Sequence, residues 1–104
     1  MILLRLGDSR FIASKYWPAL EAYNKSIALD QTGQDYASFQ KAMSYGFINK
    51  IADKIKGLKV FASQFPKSTY RDDALYELGN IYVSQEKTSE AINAYDQLIR
   101  ELPG

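Results

Sequence analysis

The 104-residue chain contains neither cysteine nor histidine. Disulfides, thiolate metal sites, cysteine nucleophiles and imidazole acid–base catalysis are therefore excluded. Proline is scarce as well, with three in the chain, and each stands where a helix would begin or end. No apolar run approaches the roughly 18 to 20 residues that a membrane-spanning helix needs. The apolar opening Met1-Ile2-Leu3-Leu4 is followed at once by Arg5 and Asp8, too short for the core of a signal peptide. Charge of one sign is also lacking: the net charge is +1, which gives no global reason to expect a nucleic acid partner. What remains is 46% hydrophobic and 24% charged, an ordinary composition for one compact domain or a short repeat array.

The apolar residues recur with helical spacing, in a pattern that repeats three times. The clearest unit runs from Asp72 to Pro103. Leu75, Leu78, Gly79 and Tyr82 share one helical face; Ala91, Tyr95, Leu98 and Leu102 share a second. The polar Gln85-Glu86-Lys87-Thr88 divides them, with Thr88 expected as N-cap and Glu90 in the first turn. Pro103 is expected to stop the second helix. At the start of the chain, Leu6, Gly7 and Phe11 lie on one predicted helix, and Ala19, Tyr23 and Ile27 on the next. Pro18 suits the first turn of that second helix, and Gly33 is expected to terminate it. The middle unit predicts a helix over Tyr36 to Phe47 and a second along Ile51, Ile55, Leu58, Ala62 and Phe65, ended by Pro66. Gly7, Ala42 and Gly79 are then 35 and 37 residues apart.

These residues resemble the tetratricopeptide repeats. The last unit supplies the pattern almost whole, with Leu75, Leu78-Gly79, Tyr82, Ala91, Tyr95, Leu98 and Pro103. The first supplies Leu3, Leu6-Gly7, Ala19, Tyr23 and Ser26, but has Arg10 in place of an aromatic and Gln31 in place of proline. The middle keeps Ala42, Tyr45, Leu58, Phe61 and Pro66, and departs at Ser38, Lys41 and Lys54. Phe65-Pro66-Lys67-Ser68 and Asp73-Ala74-Leu75-Tyr76-Glu77-Leu78-Gly79 look like repeats of bacterial envelope scaffold proteins. The resemblance implies an all-α, right-handed superhelical solenoid of six helices in three helix-turn-helix hairpins. Its repeats would span about 1–33, 34–67 and 68–104 of a single domain over residues 1–104. No polar capping helix follows the third repeat. Ile92, Ile99 and Leu102 are therefore expected to leave an apolar edge. That edge marks a segment of a longer array or a chain that self-associates through its C-terminal helix.

Catalysis, nucleic acid binding and partner binding make different demands on this frame. The adjacent carboxylates Asp72 and Asp73, even joined by Glu77, lack a metal-ligand spacing and read as acidic residues favouring a helix N-terminus. With no glycine-rich phosphate loop, neither catalysis nor a cofactor is expected. Lysines 41, 50, 54, 56, 59 and 67 make residues 34–67 net +4, against +1 for residues 1–33 and −4 for residues 68–104. Spread around two helices without arginine, they read as a solvated face. Trp17, beside Pro18, is read as core or edge packing.

The strongest reading is partner binding. By resemblance, the first helix of each hairpin lines a concave groove for a peptide or helix of another protein. The matching positions are Leu4, Asp8, Phe11 and Ile12, then Tyr36, Phe39, Met43 and Phe47, then Tyr76, Asn80 and Val83. Members that clamp a C-terminal carboxylate do so with lysine and asparagine. Here Leu4, Asp8, Phe39 and Met43 stand instead, and that clamp is absent. The resemblance implies a scaffold with an apolar, aromatic groove, and favours the cell envelope or periplasm. The alternative is a structural segment packed within its parent chain.

Overall fold

The computed structural model describes residues 2–29 and 33–101. Among them are six α-helices and no strand: α1 (Ile2–Ile12), α2 (Tyr16–Ala28), α3 (Gln34–Phe47), α4 (Ile51–Gln64), α5 (Arg71–Ser84) and α6 (Thr88–Glu101). α1 packs on α2 and α5 on α6, and a three-residue turn joins α3 to α4, in the all-α architecture that the periodicity predicts. Gln31, Leu102 and Pro103, to which the sequence assigns roles, lie outside the described residues.

One local device makes all three hairpins. Ser14, Asn49 and Glu86 have φ of 61°, 62° and 60°, the left-handed conformation that ends a helix. Behind them the N–H groups of Lys15, Lys50 and Lys87 donate back to the carbonyls of Arg10, Tyr45 and Tyr82 at 2.8, 2.9 and 2.8 Å. Ser14, Asn49 and Glu86 themselves donate to Phe11, Gly46 and Val83. This paired reverse bonding satisfies carbonyls that a helix end leaves without partners. The carbonyls of the same three lysines then accept from Ala19, Lys54 and Ala91, so each lysine closes one helix and opens the next. The left-handed residue comes seven positions after Gly7, Ala42 and Gly79 respectively. The backbone therefore repeats in the register set by the small residues.

Two sequence expectations shift. Gly33 does not terminate α2, which ends at Ala28 with Leu29 beyond it; Gly33, at φ 87°, precedes α3 as its N-cap. Thr88 is the first residue of α6, and the carbonyl opening that helix is that of Lys87.

The chain divides into two compact units, residues 1–57 and 58–104. In the first, Leu4, Ala19, Tyr23 and Ala37 form a buried cluster, flanked by Phe11, Ile27 and Tyr36. Gly7 lets α1 and α2 approach: a Cβ there would stand 2.6 Å from Tyr23 Cε1. The middle hairpin carries Lys54 at the position of Ala19. Its stem crosses Gly46, where a Cβ would meet Lys54 Cδ at 2.8 Å, so the long side chain is accommodated by a glycine where the first hairpin has Phe11. In the second unit Gly79 faces the ring of Tyr95 in the same way. Leu58, Phe61, Ala74, Leu75, Leu78 and Ala91 are among its buried residues.

Candidate partner-binding surface

In the first unit, the predicted groove residues differ in accessibility. Leu4 and Phe39 are buried and offer a partner no accessible side chain. Tyr36 and Met43 are half-buried on α3, and Phe11 is half-buried on α1. Phe47 remains 56% exposed and Ile12 83% exposed, a large apolar outlay at the end of two neighbouring helices.

Phe47 is not isolated. Its ring stacks on Tyr16, with centroids 4.7 Å apart and planes 11° apart. Phe11 meets both edge-on, at 5.4 Å from Tyr16 and 5.6 Å from Phe47. The two edge-on contacts align a positive ring edge with a neighbour's negative face, and the three rings form one contiguous aromatic block. Tyr16 opens α2 and was not among the residues predicted to line the groove. Its position follows from the three-residue turn, which places the first side chain of α2 beside the last turn of α1. Trp17 is exposed rather than part of a core, and Lys50 Nζ lies 5.6 Å from its ring centroid, within cation–π range.

Asp8 has a defined role beside this block. The hydroxyls of Tyr23 and Tyr36 both donate to its Oδ1, at 2.6 and 2.9 Å. Gln40 Nε2 in turn donates to the Tyr36 hydroxyl at 3.3 Å. One carboxylate oxygen thus joins α1, α2 and α3. Burial, then the hydrogen bond to Asp8 and its negative charge, push the Tyr23 phenol far above its ordinary 10.0, so Tyr23 stays a neutral donor.

The second unit repeats this arrangement in neutral form. Tyr95 donates its hydroxyl to Asn80 Oδ1 at 2.5 Å, and Asn80 follows Gly79 as Asp8 follows Gly7. Tyr76 and Val83 are exposed on α5, and the Tyr76 ring lies 6.4 Å from that of Tyr95.

The second unit also holds a feature that the sequence reading missed. An open cleft of about 470 Å³ lies among the end of α4, α5 and α6. Leu75, Leu78 and Ala94 line it with Lys59, Arg71 and Gln97. Arg71 is largely buried there: its Nε donates to the Ala62 carbonyl at 2.9 Å and its guanidinium pairs with Glu101. No local motif signals the cleft, because its walls come from three helices.

Residues 73–104 match the family model described as Tetratricopeptide repeat. No curated protein matches the chain.

Proposed function

Since residues 73–104 match a tetratricopeptide repeat, we propose that this chain is a scaffold holding a helix or apolar segment of a partner protein. Repeats of this family are generally protein–protein interaction modules and typically non-catalytic. The observation that carries the reading is the block of Phe11, Tyr16 and Phe47, fixed by mutual ring contacts and left open at Phe47. A preassembled aromatic surface costs a partner little ordering, and its exposed apolar area is what an amphipathic helix covers. Ile12 extends the surface along α1. In the second unit, Tyr76, Asn80 and Val83 support the same reading for that hairpin taken alone.

The test uses the full chain as bait for its native partner. Phe47→Ser and Ile12→Ser together are expected to weaken capture at least tenfold while leaving the circular-dichroism spectrum and melting midpoint close to wild type. Undiminished capture by the folded double variant would remove the surface from consideration. Phe39→Ser is no substitute, because Phe39 is buried and its loss would act through folding.

A second reading has its own observation. Ile92 and Ile99 on α6 are 52% and 66% exposed, whereas Leu20, at the matching position of α2, is 3% exposed where α2 packs on α3. A face of that composition supports self-association through α6. Sedimentation equilibrium separates the readings: concentration-dependent dimers abolished by Ile99→Glu would favour self-association, and a monomer at all concentrations would exclude it.

A further inference from the structure

We propose that the partner segment presents a single basic side chain to the free oxygen of Asp8, beside the Phe11–Tyr16–Phe47 block. This rests on the docking reading above and names the chemistry it selects. Both phenols converge on Oδ1, and Oδ2 accepts no hydrogen bond from the described residues. Ser26 Oγ is the buried side-chain polar atom without a partner among the described residues. Asp8 itself is only half-buried. Arg5, one turn earlier on α1, makes no ion pair with Asp8 among the described residues, and Arg10 is turned to the Pro18 carbonyl at 2.7 Å.

Fixing one oxygen between two tyrosines orients the other without neutralising the charge. A protein usually stabilises such a carboxylate with its own cations; here the donors are neutral and the remaining lone pairs are unused. Three residues along the same helix face, Phe11 leads into an aromatic block. Rings of this kind attract a cation by their faces and take up the apolar stem of lysine or arginine. The first unit as a whole is net positive, so the attraction is confined to Asp8 and screened within about 10 Å. The selected ligand is consequently one basic residue set in an apolar segment, not a polybasic tract.

Three amphipathic helical peptides of one sequence test this. Each carries an apolar face and, at a single central position, arginine, citrulline or glutamate. Affinities for the full chain are read by fluorescence anisotropy. The arginine peptide is expected to bind about fivefold tighter than the citrulline peptide, with glutamate weakest. Asp8→Asn retains an acceptor for both phenols and is expected to bring the ratio of arginine to citrulline affinity to about one. Phe47→Ser is expected to weaken all three. Equal binding of arginine and citrulline peptides, with Phe47→Ser still damaging, would overturn the basic-residue assignment alone. Binding insensitive to Phe47→Ser, or no binding by any peptide, would overturn the docking reading and this inference together.

Discussion

The ring edge of Tyr23 fills the space that a side chain on residue 7 would need. A Cβ added to Gly7 would stand 2.6 Å from Tyr23 Cε1, and Tyr23 is fully buried. Gly79 and Tyr95 are related in the same way, but Tyr95 is only partly buried. Alanine gains about 1 kcal/mol over glycine in helix propensity, while overpacking a core costs about 1–3 kcal/mol. Gly7→Ala is expected to destabilise by about 1–2 kcal/mol. Gly79→Ala should be closer to neutral, because Tyr95 can swing outward. Urea melts of the two variants check the order; equal losses would mean that ring burial does not decide it.

The hydroxyl of Tyr23 ties α2 to Asp8, and its protonation links the fold to alkaline pH. Its folded pKa lies above the unfolded value of 10.0, so the folded state keeps a proton that the unfolded chain releases. The contribution is therefore complete below pH 10 and declines as pH rises beyond it. Tyr23→Phe is expected to cost about 1.5–3 kcal/mol at neutral pH, the worth of a hydrogen bond to a charged group. It should also flatten part of the stability loss between about pH 10 and 11. Denaturant midpoints across that range, wild type against variant, give the comparison.

Among the three left-handed turn residues, asparagine tolerates the conformation best and glutamate gains nothing local from it. Glu86→Gly is expected to stabilise by about 0.5–1 kcal/mol, and Asn49→Gly by less. Thermal melts distinguish them. A loss of stability in Glu86→Gly would show that its side chain contributes more than the turn strain costs.

Arg71 serves two partners from a largely buried position: the Ala62 carbonyl near the end of α4 and the Glu101 carboxylate at the end of α6. Removing it strands a carbonyl as well as an ion-pair partner. Arg71→Met is expected to cost about 1–3 kcal/mol. Glu101→Gln should cost less than about 1 kcal/mol, since Glu101 is exposed. Chemical denaturation of both variants and of the double variant measures the coupling.

Much of this architecture is legible in the sequence because it is local. The Gly7–Tyr23 and Gly79–Tyr95 pairs follow from small and aromatic residues at fixed spacing, and the α3 and α4 ranges lie within two residues of the predicted helices. Other elements depend on three-dimensional placement. Leu4 and Phe39 share a helical face with the exposed positions predicted beside them, yet are buried; spacing alone does not separate exposed from buried. Tyr16 belongs to another helix and joins Phe11 and Phe47 because the turn brings it there. The left-handed residues escaped notice because serine and glutamate carry little signal for that conformation, and Gly33, which does, sits before α3. Asp8 is a groove position by resemblance alone, and its two phenolic donors come from α2 and α3 and could not be paired in advance.

The lysines shared between helices leave the hairpin turns no room for extra chain. Each turn has three residues, whereas five separate α2 from α3 and six separate α4 from α5. A residue inserted beside Lys15, Lys50 or Lys87 would break the bonds that end one helix and those that begin another. Length variation in this chain is therefore confined to the joints between hairpins and to the helices themselves. A tag or a grafted binding loop has its tolerant site near residues 65–70, and none at the hairpin tips.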